Sequence, residues 1–209
     1  MLHNHNKSGQ KPKLDSKRIV DVALKIARSD GLENLSMRRV ATHLETGPMS
    51  LYNHVKNRED LIAKMVDAVA LQIDAPEPRT LPPRAEATAI AMAGFKVVSK
   101  ENWIVHHLLT GGRGSLLVVP LVERIMFALE KSGIKHDRVA EAFETILHLV
   151  YAAALARVRP QKDLKKPVIE STVIASFVTA RKMSGDDESL EQVILFVIGA
   201  YAASDAAAP

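Results

Sequence analysis

The chain has 209 residues, 47% of them apolar, 25% charged and only 4% aromatic, which is the composition of an ordinary globular protein with an aliphatic core. The absence of cysteine excludes disulfides and thiolate metal sites and suits a reducing, cytoplasmic setting. Its formal net charge of +4 is uneven: residues 1–74 hold twelve Lys/Arg against nine Asp/Glu, whereas the remaining 135 hold sixteen against fifteen.

The first 13 residues form a basic arm. Lys7 to Arg18 carries five positive residues with only Asp15 opposing them, which suits phosphate contact, and the arm is expected to be disordered. MLHNHNKSGQKPK holds too little apolar material for a signal peptide. No apolar run approaches the roughly 20 residues needed to span a bilayer, 193–203 being the longest candidate, so no membrane role is expected.

Helix signals begin at Asp15 or Ser16. Ile19, Ala23 and Ala27, widened by Val20, Leu24 and Ile26, give a helix inner face that stops at Asp30-Gly31. In LSMRRVATHLETGPMSLYNHVKNREDL (35–61), Ser36 is suited to cap a second helix, whose apolar face is Met37, Val40, Ala41 and Leu44. Glu45-Thr46-Gly47 breaks the pattern, and Pro48 suits the first position of a third helix. Leu51 and Val55 supply its inner side, leaving Pro48, Met49, Ser50, Tyr52, Asn53 and His54 for a partner. A fourth helix starts near Arg58 and carries Leu61, Ile62, Met65, Val66, Val69, Ala70 and Ile73, a stripe long enough to serve two packing surfaces. This is helix-turn-helix spacing, which places a short helix in a DNA major groove.

Gly31, LSMRRVA, GPMSLYNHV and KNREDL together resemble the DNA-binding domain of TetR-family transcriptional regulators, over about residues 14–73. The chain departs from that pattern at Glu45-Thr46, where the family has Gly-Val or similar. A Glu in a left-handed turn conformation costs about 1 kcal/mol. The resemblance implies contacts to bases by Pro48, Met49, Ser50 and His54, to a base edge or phosphate by Arg38, and to phosphates or the groove edge by Tyr52, Asn53, Lys56 and Arg58.

Pro76, Pro78, Pro82 and Pro83 mark a linker, so a helix-turn-helix domain over 14–74 and a larger helical domain over 75–209 are expected. Further helices are predicted over 83–100, 103–109, 116–132 (with Pro120 marking a start or a kink), 137–158, 167–183 and 188–204, giving an all-α chain without strands. VILFVI (193–198) is apolar all round, and Ala152-Ala153-Ala154 allows close helix approach, so helices 137–158 and 188–204 are expected to form a homodimer interface. The family resemblance implies the same pairing, and a small-molecule cavity in this domain.

Candidate lining residues are Phe95, Trp103, His106, His107, Met126, Phe143, Glu144, His148 and Tyr151, mostly apolar with a few polar groups. VHHLLTGG (105–112) resembles the region of tetracycline repressors that holds a metal-binding histidine. Glu144 and His148 share a helix face and suit a divalent metal, a polar ligand group or a plain exposed pair; with no third ligand, no metal site or cofactor is assigned.

The expected function is therefore a homodimeric transcriptional repressor that binds a palindromic double-stranded DNA operator and is released by a small apolar or aromatic effector. Two alternatives stay open: a constitutive DNA-binding protein without a ligand, and an all-α enzyme with an accessory DNA-binding head. Against the enzyme, the sequence has no Ser-His-Asp spacing, P-loop, GxGxxG after a strand, or HExxH.

Overall fold

The computed structural model describes residues 14–157 and 187–206. The basic arm and the helix expected over 167–183 lie outside the described residues. Within them all regular structure is helical: nine α-helices and three short 3₁₀ turns, with no strand. The chain packs as two units, residues 1–65 and 66–209.

The first unit contains α1 (Ser16–Asp30), α2 (Met37–His43), α3 (Pro48–Tyr52) and the start of α4 (Arg58–Ala70). Helix starts are fixed by side chains that satisfy otherwise unpaired N–H groups. Asp15 accepts from Arg18 N at 2.8 Å, and Ser36 accepts from Arg39 N at 3.2 Å. At α4, Asn57 accepts from Asp60 N and the Asp60 carboxylate accepts from Lys56 N, each at 2.8 Å, a reciprocal pair of the capping-box kind. Every residue expected on the inner face of α1 is buried, with Leu35, Val40, Leu51, Val55, Leu61 and Met65.

The division between the units falls inside α4 rather than at the proline-rich stretch. The reason is the length of the α4 stripe: Leu61 and Met65 belong to the first unit, Val66, Val69 and Ala70 to the second.

The second unit is built around α5 (Pro83–Val98), which packs against α6 (Asn102–Leu109), α7 (Val119–Lys131), α8 (Val139–Ala156) and α9 (Asp187–Ala206). Pro120 lies in the first turn of α7, where no N–H is needed, so it marks the start and leaves Leu116–Val118 as a 3₁₀ turn. In α9 the apolar stripe Leu190, Ile194 and Ile198 is buried, with Asp205 near its end, and Phe196 is 75% exposed. His136–Ala156, with mean hydropathy 1.4, is long and apolar enough to cross a membrane, contrary to the expectation that no run is. Here α8 turns its apolar residues to α5, α6, α7 and α9.

Polar ties pin the periphery. Arg124 donates to Glu86 and to the Pro76 carbonyl at 2.8 Å, holding the proline-rich segment to α5 and α7. Asp205 accepts from Lys135 N at 2.9 Å and from Arg138 at 2.7 Å. The Lys135 N–H, then Arg138, hold its carboxyl below the usual carboxylate range.

Three helices end in the same motif, and one of them does so at a cost. After α6, Gly112 N donates to His107 O and Gly111 N to Leu108 O; after α7, Ile134 N donates to Leu129 O and Gly133 N to Glu130 O. After α2, Thr46 N donates to Ala41 O and Glu45 N to Thr42 O. This Schellman arrangement needs a left-handed residue at its corner. The corners are Gly111 at φ 88°, Gly133 at φ 99° and, at the expected point of departure, Glu45 at φ 52°. Glu45→Gly should therefore stabilise the protein by about 1 kcal/mol, read as a higher Tm in thermal denaturation. An unchanged or lower Tm would show that the glycine's extra unfolded-state freedom outweighs the relieved strain.

Candidate nucleic-acid interface and ligand cavity

Helix α3 has only five residues, and its sequence sorts them by face. Leu51, with Val55 just beyond its end, is buried beneath it. Pro48 opens the helix, Gly47 precedes it, and Asn53 closes it. Outward lie Pro48, Met49 at 77% exposure, Tyr52 at 46%, and Asn53, with Ser50 and His54 half-buried. Helices α2 and α3 pack on each other, and α2 packs on α1.

The neighbouring cations divide into free and engaged. Arg38 is exposed on α2, and its guanidinium has no partner among the described residues. Lys56 has an exposed side chain, while its backbone N–H is used by Asp60. Arg39, on the other side of Arg38, pairs with Asp30. Arg58 corrects an expectation. Its Nε donates to Leu35 O at 2.9 Å and its Nη2 to Leu32 O at 2.8 Å, so it ties α4 to the segment between α1 and α2 instead of reaching outward. A guanidinium presents several N–H donors in a fixed fork, so one side chain can hold two neighbouring carbonyls at once. A surface with exposed hydroxyl, amide, thioether and phenol groups on a short helix, beside free cations, has the chemistry for base edges and phosphates.

In the second unit a cavity of about 210 Å³ opens among α4, α5, α6, α7 and α8. Ile90, Val97, Ile104, Leu121, Ile125 and Val150 are among its walls. Of the nine lining residues expected from sequence, Phe143 and Tyr151 line it and the other seven do not.

The reasons are local. Phe95 is fully buried, with the Arg157 guanidinium over its ring. Trp103 is core, its indole N–H donating to the buried Glu101 carboxylate at 2.8 Å. His106 is exposed, and His107 packs its ring against Gly112, where a Cβ would clash. Met126 is half-buried on a face of α7 away from the cavity lining. Glu144 and His148 lie on the exposed face of α8. Among the described residues no three metal-ligating side chains gather. On α6 the lining falls to Ile104 and Leu108 instead of Trp103, His106 and His107; on α8 Phe143 and Tyr151 line the cavity as expected, while Glu144 and His148 do not. The residues it missed, including Val66, Val69, Ile90, Gly94, Leu121 and Leu147, are aliphatic or glycine and carry no signal that separates a cavity wall from core.

No protein-family model matches the chain. Its sequence is 51% identical over 61 residues to the HTH-type transcriptional repressor DrrR1 of Streptomyces coeruleorubidus, over 29% of this chain and 23% of that protein. The chain spans less than a third of the length of the curated relatives it matches. In structure it is similar to the Streptomyces coelicolor TetR-family protein ActR, solved in complex with (S)-DNPA (TM-score 0.64, 24% identity, 93% of this chain and 100% of that one). It is also similar to BioQ solved with its double-stranded DNA operator (TM-score 0.62, 19% identity, 91% and 99%). The fold is that of the TetR-family regulators, a helix-turn-helix unit followed by a helical unit, as the resemblance over about residues 14–73 implies.

The two cations that flank α4's start should separate by substitution. Arg58→Ala removes a charged donor from two carbonyls and should cost about 1.5–3 kcal/mol of stability. Lys56→Ala should stay within about 0.5 kcal/mol of the unmutated protein. Chemical denaturation of both variants checks this; equal losses would return Arg58 to the exposed set.

Proposed function

We propose that the protein is a sequence-specific DNA-binding transcriptional repressor, active as a homodimer in the cytoplasm and released from its operator by a small, mostly apolar or aromatic effector. The α3 surface carries this reading: five residues held from beneath by Leu51, with their polar and thioether groups turned outward. A helix this short has no stability of its own, so a buried anchor below and an unused face above mark it as a presented element. The relation to DrrR1, a named repressor, and the likeness to an operator-bound BioQ support DNA as the partner.

In this reading Pro48, Met49, Ser50 and His54 meet base edges, Met49 offering apolar contact to a thymine methyl. Arg38, Tyr52, Asn53 and Lys56 hold phosphates or the groove edge and set register. Arg58 acts within the protein and drops out of the contact set.

The cavity supports an effector. Its walls are almost wholly apolar, so a bound apolar molecule would remove that surface from water. ActR was solved with a small molecule, which is the same kind of use. Release follows if the effector favours a dimer whose recognition helices no longer match the half-site spacing.

Dimerisation draws on the outer faces of α8 and α9. Ala152 and Leu155 on α8, and Phe196, Ala200 and Ala203 on α9, are exposed in the single chain. Phe196, rather than its half-buried neighbour Val197, is the outward anchor of that face. An apolar stripe of this kind suits a two-fold, self-complementary contact.

The reading is tested with promoter DNA from the protein's own genome. The protein should bind a palindromic site with half-sites about one helical turn apart, measured by fluorescence anisotropy. Lys56→Ala should lower the salt slope by about one and weaken all sequences alike. Equal affinity for random and promoter DNA at physiological salt would sink the proposal.

Assembly has its own test. The unmutated protein should sediment as a dimer at micromolar concentration and Phe196→Glu as a folded monomer, because the substitution places a charge in a covered apolar face. A monomeric unmutated protein would refute the interface.

A further inference from the structure

The walls of the cavity say what kind of molecule it holds, an inference that rests on the effector reading and extends it to chemistry. Among its described walls there is no charged side chain, and the only polar side chains are Ser115 and Tyr151. The Ser115 hydroxyl is engaged twice: it donates to Asp67 Oδ1 at 2.6 Å and accepts from Leu117 N at 3.1 Å. The Tyr151 hydroxyl is different. Its side chain is half-buried in the wall formed by α8, and no described residue gives it a hydrogen bond. Burial pushes the phenol above its usual range, so it stays neutral near pH 7, with one proton to donate and lone pairs to accept.

A hydroxyl that a bound molecule cuts off from water costs free energy unless that molecule supplies a hydrogen-bonding atom in water's place. A buried charge without a counter-ion costs far more. We infer that the cavity takes an uncharged, mostly hydrocarbon molecule bearing one hydrogen-bonding oxygen, and that Tyr151 is the residue that selects for this oxygen. A pure hydrocarbon leaves the phenol unpaired. A carboxylate loses its water and finds no cation among the described walls.

Size bounds the same molecule. An apolar cavity of about 150 Å³ admits benzene, so 210 Å³ has room for a bicyclic body. Gly94 gives an independent handle on occupancy. It lines the cavity from α5, and a Cβ built there would meet nothing within 4 Å. A larger side chain at that position has open space to fill without displacing the fold.

The probes are naphthalene, 1-naphthol and 1-naphthoate, which share one ring system and differ in one substituent. Isothermal titration on the full chain should show 1-naphthol binding about five- to tenfold more tightly than naphthalene. It should bind at least tenfold more tightly than 1-naphthoate. Tyr151→Phe should bring 1-naphthol and naphthalene within about twofold of each other while leaving naphthalene's affinity in place. Gly94→Leu should weaken every probe tenfold or more, with the unliganded Tm retained. The inference is overturned if 1-naphthoate binds as well as 1-naphthol, if Tyr151→Phe keeps the preference, or if no probe binds the unmutated protein. Operator anisotropy on the same preparation separates the two levels. Failure of the unliganded protein to bind operator would count against the repressor reading, whereas the probe series judges the selectivity of Tyr151 by itself.

Discussion

Everything outward on α3 depends on two residues beneath it. Five residues cannot hold a helix in water, because the first turn fixes more dihedrals than its few hydrogen bonds repay. Leu51 and Val55, both buried, supply what the helix lacks, and Leu35, Val40 and Leu61 complete the core of their unit. Pro48 presets the entry angle, and the Schellman turn after α2 sets the reversal before it. Apart from Pro48, the exposed set is therefore positioned by burial and backbone geometry, without its own side chains being needed to fold it. That division leaves those side chains available to a partner.

Glu45 shows that the turn geometry takes precedence over local preference. The same corner conformation is taken by glycine after α6 and α7 and by glutamate after α2. Two satisfied carbonyls at the end of α2 and the placement of α3 outweigh the strain of one side chain. Arg58 makes a similar trade. Its charge could have served a surface, yet its guanidinium fork holds the Leu35 carbonyl and adds a second donor to the Leu32 carbonyl, which the 3₁₀ turn already uses once.

The second unit has a different economy. With few aromatic residues, its core is filled by aliphatic side chains and alanine, and small residues on α5 and α8 let the helices cross closely. Where α4, α5, α7 and α8 diverge, these side chains are too short to meet, and a cavity results. Among the described walls, Tyr151 carries the one hydroxyl without a protein partner, and apart from Ser115 the rest are apolar or glycine. The larger aromatics Phe95 and Trp103 are drawn into the packed region, held by Arg157 and Glu101 respectively.

Sequence alone determined what rests on local chemistry. The start of α1 at Asp15 or Ser16, the cap at Ser36, the stops at Gly111 and Gly133 and the outward set expected on α3 follow from hydrogen-bonding capacity, fixed φ and helical period, all of which a few neighbouring residues decide, whereas Pro120 left a start and a kink equally open. Left-handed strain at Glu45 was legible for the same reason. Only tertiary structure decided which apolar residues line a void and which fill a core, since Ile90 and Ile125 read no differently from Ile194 until their neighbours are in place. It also turned Trp103 inward, His148 outward and Arg58 onto the backbone. Those outcomes depend on groups 20 or more residues away or on helix rotation, and a rotation of one position about the axis, about 100°, exchanges wall for surface without altering the hydrophobic pattern that sequence displays.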